Sequence, residues 1–287
     1  MKWTREAPAK VNLTLDILGL RPDGYHEMRM VMQTVSLCDT VTVEETAEGF
    51  SLHTNGDFIP AGKKTLEQRA AEAFFATAGQ RMPGLSVTLE KRTPAYAGLG
   101  GGSADVAALL HILRDHWCPE MPGELLERIG GTVGSDMPFC VRGGTALAEG
   151  RGEVLTDLPE LPDCTLVICK PDLGIPTAEL FARVRGEELR CRPDTGGMVA
   201  ALQAVDLEGV AARLGNVFEE VLPEPYGEVS IIKERLRDLG ALNAAMSGSG
   251  PSVFGIFREE DAAVRAAETL RRTWKQTFLA HPVRRFV

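Results

Sequence analysis

Residues 97–110 read AGLGGGSADVAALL, with Gly98, Gly100, Gly101 and Gly102 crowded in front of a serine and a run of alanine and leucine. Consecutive glycines reach backbone conformations barred to other residues, so their N–H groups can converge on one point. The first N–H groups of a helix are unpaired and partially positive, and the two features together make a phosphate cradle. Ser103 either caps that helix or donates its hydroxyl to the same anion. The spacing excludes the common phosphate loops. No lysine follows the glycines as GxxxxGK(S/T) requires, and GDFIPAGKK (56–64) has the wrong spacing and no Ser or Thr directly after Lys63. A GxGxxG pattern fails at its third glycine, where Ser103 stands. Taken alone, such a run reads as a tight structural turn. Two further candidates are Lys10, beside Asn12 on a polar strand face, and Asp136 in GSDMPF. Alone, these read as an exposed strand-start lysine and the N-cap of a short helix.

The elements that position these residues follow from periodicity. PAKVNLTLDIL (8–18) alternates strictly, which predicts a half-buried strand with Lys10, Asn12, Thr14 and Asp16 on one polar face. After the turn RPDG, YHEMRMVMQTVSL reads as a returning strand, and VTVEE (41–45) with FSLHT (50–54) as a hairpin pair. Helical spacing marks 65–78, closed by Gly79, and 103–116; LSVTLEK (85–91) is a strand between them. A short helix lies within LLERIGGTVG, and Pro138 suits the first turn of another. GTALAEGRGEVLTDL predicts strands about a glycine turn, and Pro159 and Pro162 mark a domain boundary near 155–163. Beyond it come a strand at CTLVICKP, a helix around 176–184 and a polar loop RCRPDTGG (190–197). Helices at 198–214 and 227–239 follow, then strand–turn–strand over ALNAAMSGSGPSVFGIF, the helix DAAVRAAETLRRTW and a closing strand PVRRFV. This half predicts α+β architecture with an antiparallel sheet. Residues 58–64 and 186–197 read as mobile.

Composition narrows the classes. The 287 residues are 44% hydrophobic and 25% charged, the make-up of a globular chain able to bury a large core. A net charge of −9 argues against nucleic acid, although a local basic pocket for a small anion survives it. Six cysteines without CxxC spacing read as reduced thiols, and the five histidines form no metal-ligand pattern, so no residue is assigned to a metal. No apolar run reaches membrane-spanning length and the N-terminus lacks a leader's apolar core, so a cytoplasmic location without membrane contact is expected. The sequence sets no oligomeric state.

The glycine run does not stand alone. PAYAGLGGGS (94–103) resembles the phosphate loop P-x-x-x-G-L-G-S/G-S of the GHMP kinase superfamily. PAKVNLTLDILGLRPDGYHE (8–27) resembles that family's N-terminal motif, GSDMPF (134–139) its acidic loop and MSGSGPSVFGIF (246–257) its C-terminal motif. The four occur in family order over nearly the whole chain. The resemblance implies an α+β, two-domain GHMP kinase fold: a domain like ribosomal protein S5 domain 2 at 1–158 and a ferredoxin-like domain at 159–287. It also implies a phosphotransferase acting on a small-molecule alcohol. ATP with its Mg²⁺ would lie along Pro94, Ala95, Tyr96, Ala97, Gly98, Leu99, Gly100, Gly101, Gly102, Ser103 and Ala104. A β-branched side chain at Gly101 is therefore expected to obstruct the phosphates.

The same resemblance makes Asp136 the base or orienting group for the alcohol, and Lys10 the ammonium that favours its charged form. GLGGGSAD, GSDMPF, RPDGYHE and IPTAELF (175–181) are most similar to the branch of the family whose alcohol bears a diphosphocytidyl group. That branch phosphorylates the 2-hydroxyl, in the non-mevalonate route to isoprenoid precursors. Tyr25 and Phe181 would then sandwich the cytosine, His26 meet its edge, and Asn12 and Thr177 bind polar groups of the substrate. The turn GSGPS (248–252) either brings N–H groups near the phosphates or only closes a hairpin. Ala104 stands where relatives often have a second serine, and Thr65 where an asparagine commonly precedes the leucine. Two other readings stay open: a GHMP kinase for homoserine, mevalonate or a sugar, and a non-catalytic nucleotide-binding protein of the same fold. The presence of Lys10 and Asp136 disfavours the last.

Overall fold

A computed structural model describes residues 1–55, 64–174, 177–184, 189–223 and 226–285. The decoy GDFIPAGKK apart from Lys64, the first two residues of IPTAELF, and the expected mobility of 58–63 and 186–188 lie outside them. The fold is α+β, built on two sheets. The first holds β1 (Lys2–Leu20), β2 (His26–Thr46), β3 (Phe50–Thr54), β4 (Gly84–Glu90), β5 (Thr145–Gly150) and β6 (Val154–Asp157), joined by a late two-residue strand, β8 (Gly215–Asn216). The second is antiparallel in the order β11–β7–β10–β9, from β7 (Thr165–Lys170), β9 (Asn243–Met246), β10 (Val253–Phe257) and β11 (Gln276–Ala280).

The helices are α1 (Leu66–Thr77), α2 (Gly101–Trp117), α3 (Gly123–Gly131), α4 (Met137–Arg142), α5 (Thr177–Arg183), α6 (Thr195–Gln203), α7 (Leu207–Ala212), α8 (Glu228–Asp238) and α9 (Glu260–Arg271). Thr65 caps α1, its Oγ1 accepting from the Gln68 N–H at 3.2 Å. Val41, Val43, Leu85 and Val87 of the first sheet share one core with Phe74 and Phe75 of α1 and Leu109 of α2. Leu166, Ile168, Phe254 and Ile256 of the second sheet share another with Ala9, Val11 and Leu13 of β1. β1, a strand of the first sheet, thus contributes to both cores.

That position corrects the half-buried expectation. Lys10, Asn12, Thr14 and Asp16 are all buried, and they do not share a face. The pairing of β1 with β2 slips between Asn12 and Thr14, and such a bulge turns the following side chains over. Lys10 and Asn12 stay on the side of α2 and α4. Beyond the bulge, Asp16 turns to Arg192, whose Nη1 donates at 2.6 Å, and Thr14 to Thr195 of α6.

Four other expectations are corrected. VTVEE and FSLHT form no hairpin, because β4 lies between them, antiparallel to β2 and parallel to β3. The single helix over 198–214 is two, α6 starting early at Thr195 and α7 recapped by Asp206, whose Oδ1 accepts from the Gly209 N–H. Among the described residues the last strand is QTFLA, and 282–285 of PVRRFV make only isolated bridges through Pro282 and Arg285. The helix read at 103–116 begins two residues sooner, so Ser103 sits in its first turn and Gly100 takes the cap position.

Candidate active site

The glycine run leaves β4 through Pro94 and opens directly into α2. Gly98 (φ 73°) and Gly100 (φ 68°) are left-handed, a region costly for other residues, and Gly100 offers no side chain to cap the helix. The first N–H groups of α2 therefore lack the usual internal partner and suit an anion. The side chains of Ala97, Leu99 and Ala104 are buried in the core, so these three offer a ligand only backbone. Ala95 and Tyr96 are exposed, and Pro94 is half-buried. A Cβ on Gly101 would lie 3.0 Å from Thr93 Cγ2 and 3.6 Å from Asp39 Oδ2. A side chain there thus already presses on the protein behind the loop.

Lys10 lies under the loop. Its N–H donates to Leu99 O at 2.9 Å, and its stem runs where a Cβ on Gly100 would be, 3.0 Å from Lys10 Cγ. The ammonium donates to Asn12 Oδ1 at 2.6 Å and stands 3.4 Å from Asp136 Oδ2. Asp136 occupies the N-cap position of α4 but makes no capping bond with its side chain, so the local reading of it as a helix cap fails. Its carboxylate is more than one-third exposed, at 37%, beside an ammonium exposed to only 4%. A lysine–carboxylate pair beneath an anion cradle can orient a hydroxyl and receive its proton.

On the other flank, the ring of His26 lies 5.0 Å from that of Phe181, tilted 32°, and Phe181 meets Phe218 edge-on at 5.0 Å. Tyr25 is exposed, with the Arg151 guanidinium 4.7 Å from its ring centre. The structure thus brings Phe181 to His26, while Tyr25 carries a cation on one face. Thr177 Oγ1 and Ser249 Oγ are 2.8 Å apart, which ties α5 to the GSGPS turn. That turn closes β9 to β10 and also packs on the glycine loop. Ser247 Oγ donates to Gly98 O at 2.9 Å, and the Ser252 N–H to Ala97 O at 3.3 Å.

Sequence reasoning missed a buried ionic cluster behind the loop. Lys91 bridges the carboxylates of Asp39 and Asp105, and Asp39 Oδ1 accepts from the Arg92 and Thr93 N–H groups. Burial pushes the Asp105 carboxyl up to about 7 against the pull of Lys91, with Asp39 adding to the rise. The cluster joins β2, the end of β4 and the first turn of α2. Asp105 stood inside the quoted GGGSAD motif, but nothing local marked Asp39 or Lys91.

An anion cradle at a helix start, a lysine–aspartate pair beneath it and a second glycine turn pressed against it form a site suited to phosphoryl transfer onto a small molecule. Models of the GHMP kinase N-terminal and C-terminal domains match residues 65–144 and 198–276. A crystal structure of a 4-(cytidine 5'-diphospho)-2C-methyl-D-erythritol kinase superposes with a TM-score of 0.81 at 36% identity, covering 98% of this chain and 99% of that one. The kinase of that name from Pelotomaculum thermopropionicum is 44% identical over 277 residues, 96% of each chain, and that from Syntrophomonas wolfei 39% over 274, again 96% of each. The chain belongs to the 4-diphosphocytidyl-2-C-methyl-D-erythritol kinase family. A homoserine kinase from Cytophaga hutchinsonii, 17% identical with a TM-score of 0.76, shares the fold.

Proposed function

We propose that the chain transfers the γ-phosphate of ATP to the 2-hydroxyl of 4-diphosphocytidyl-2-C-methyl-D-erythritol, as a cytoplasmic step in the non-mevalonate supply of isoprenoid precursors. The observation that carries the mechanism is the placement of Lys10 and Asp136 under the glycine loop. Phosphoryl transfer needs little covalent help from a protein and much positioning. The backbone of 98–103 and the start of α2 hold the phosphates. Asp136 accepts a hydrogen bond from the 2-hydroxyl and turns its oxygen toward phosphorus. The new O–P bond forms as the bond to the β-phosphate oxygen breaks, ADP leaves, and the hydroxyl proton passes to Asp136. A carboxylate is a weak base for an alcohol, so the proton moves late. Lys10 offsets charge between carboxylate and nucleophile.

Mg²⁺ arrives on ATP in this reading. Among the described residues no group of three His, Cys, Asp or Glu side chains is placed to hold a metal. His26, Phe181 and Tyr25 take the cytosine, with the His26–Phe181 contact opening to admit it, while Thr177 and Asn12 meet polar groups of the substrate. Asn12 also fixes Lys10. The division at 158/159 falls between the end of β6 and the start of β7. Six free cysteines accord with a reducing compartment.

The test is ADP release from purified protein with ATP and Mg²⁺, in parallel tubes of the cytidyl alcohol, homoserine, mevalonate and galactose. Turnover is expected in the first alone. Asp136→Ala is expected to cut that turnover by about a thousandfold or more while ATP still binds. Turnover with another alcohol overturns the substrate reading, and an active Asp136→Ala variant overturns the mechanism.

A further inference from the structure

The short segment Gly215–Glu219 carries no charge pattern or motif that draws attention, yet both halves of the site rest on it. Gly215 and Asn216 form β8 and pair in parallel with Thr14 and Leu15, just beyond the bulge that follows Asn12. The buried amide of Asn216 then does three things. Its Nδ2 donates to Met246 O and to Gly248 O, both at 2.8 Å, and its Oδ1 accepts from the Phe218 N–H at 3.0 Å. Glu219 adds a fourth tie, accepting from the Met246 N–H at 2.9 Å while paired with Lys233. These bonds set residues 246–248 from behind. In front, Ser247 contacts the glycine loop at Gly98 and accepts from the Asn12 N–H at 3.3 Å. Between the two ties to that turn lies Phe218, fully buried, whose ring edge supports Phe181, which in turn meets His26.

We propose that Gly215–Glu219 is the positioning element that sets the phosphate side and the base side of the site from one place. Asn216 and Glu219 hold the turn that backs the ATP loop, and Phe218 holds the aromatic wall. The assignment of the two sides to ATP and to a cytidyl group rests on the function proposed above. None of the three side chains is expected to touch substrate, so each acts through another residue.

The experiment measures steady-state constants for both substrates, with melting curves, for wild type, Phe218→Leu, Asn216→Asp, Asn216→Ala, Ser247→Ala and the Asn216→Asp/Ser247→Ala double variant. Phe218→Leu is expected to raise KM for the cytidyl alcohol by about tenfold and leave kcat and KM for ATP within about twofold. Asn216→Asp replaces two donors by an acceptor facing two carbonyls. It is expected to lower kcat by about tenfold and raise KM for ATP, with KM for the alcohol within about threefold. Because the donors matter, Asn216→Asp should be worse than Asn216→Ala, although it fills the space better. Its effect should not add to that of Ser247→Ala. If both substrates' constants shift together in step with lost melting temperature, or neither shifts by more than about twofold, the proposal is overturned. If wild type is silent with the cytidyl alcohol, the substrate reading fails separately. The positioning claim is then decided by titrating CDP and a non-hydrolysable ATP analogue. Phe218→Leu must weaken only the first and Asn216→Asp only the second, and equal weakening or no CDP binding by wild type overturns it.

Discussion

The two glycine turns of the site use one residue type to different ends. In the first, Gly98 and Gly100 deliver the chain into the 17-residue helix α2 with its leading N–H groups uncapped. In the second, Gly248 (φ 56°) and Gly250 (φ 71°) reverse the chain between two strands, and no helix follows. The turns are pressed backbone to backbone. A Cβ on Gly98 would lie 2.0 Å from Ser247 O, and one on Gly248 would lie 2.8 Å from Gly98 O. So the first turn offers donors and the second is the wall that fixes where they point. Their anchors differ as well: charged side chains stand behind the first, and the neutral amide of Asn216 leads behind the second.

The sharpest way to break this comparison is Gly98→Ala. No shift of a flexible side chain relieves a collision with a backbone carbonyl, and the left-handed φ adds strain. The turns must part. Activity is expected to fall about a hundredfold or more, because small displacements of positioning groups cost that much. Steady-state kinetics on folded variant protein checks it. Near-normal turnover would mean that the loop does not need its wall.

The first turn was legible in the sequence and the second was not, for a physical reason. Glycines followed by a helical period state their own local consequence, a helix start with unpaired N–H groups, although the cap falls on Gly100 and not on Ser103. The order of strands and helices was similarly local, and most of it was read correctly. GSGPS leaves two readings open, N–H groups brought near the phosphates or a hairpin merely closed. Its packing on the glycine loop depends on contacts with distant residues, such as that of the preceding Ser247 with Gly98, 149 positions away, which no local pattern encodes. The polar face of β1 failed for the same reason. Strict alternation predicts one face, but the bulge after Asn12 depends on how β2 pairs with it. Lys10 and Asn12 precede the bulge, so the part of the face that bears on the chemistry survived. Tyr25 and Phe181 were named from resemblance, whereas the contact of Phe181 with His26 needed the three-dimensional packing.

The charged anchor behind the first turn should show itself under pH, with His111 inside α2 as a reference of opposite sign. The Asp105 carboxyl is raised from its ordinary 3.8 to about 7, chiefly by burial, so the folded chain holds that proton more tightly than the unfolded chain. Its contribution to stability is full below about pH 4 and is lost as pH rises to about 7. His111, lowered by burial from 6.5 to about 4, has the opposite sign: its contribution is full above about pH 6.5 and is lost as pH falls to about 4. Asp105→Asn removes the first slope and leaves the second. The variant should therefore gain stability relative to wild type as pH rises from about 4 to about 7. Urea midpoints across that range check the sign, and parallel curves would sink it.

Ser247→Ala removes one bond between the turns, and with it the acceptor of the Asn12 N–H, without adding bulk. A hydrogen bond of this kind contributes about 1 kcal/mol, so the expected loss in kcat/KM is about fivefold. The smallest effect should come from Gly102→Ala. Gly102 is exposed, its φ is not left-handed, and a Cβ there meets nothing within 4 Å. Alanine is the better helix former, so the variant should melt at or slightly above wild type, by about 0.5 kcal/mol. If phosphates are held by N–H groups of the loop, the added methyl leaves those donors in place, and KM for ATP should stay within about threefold. A large rise in that KM with an unchanged melt would instead place the phosphates in the open space beside Gly102. That would centre the cradle on the first turn of α2, at the end of the 98–103 run farther from the wall that the second turn provides.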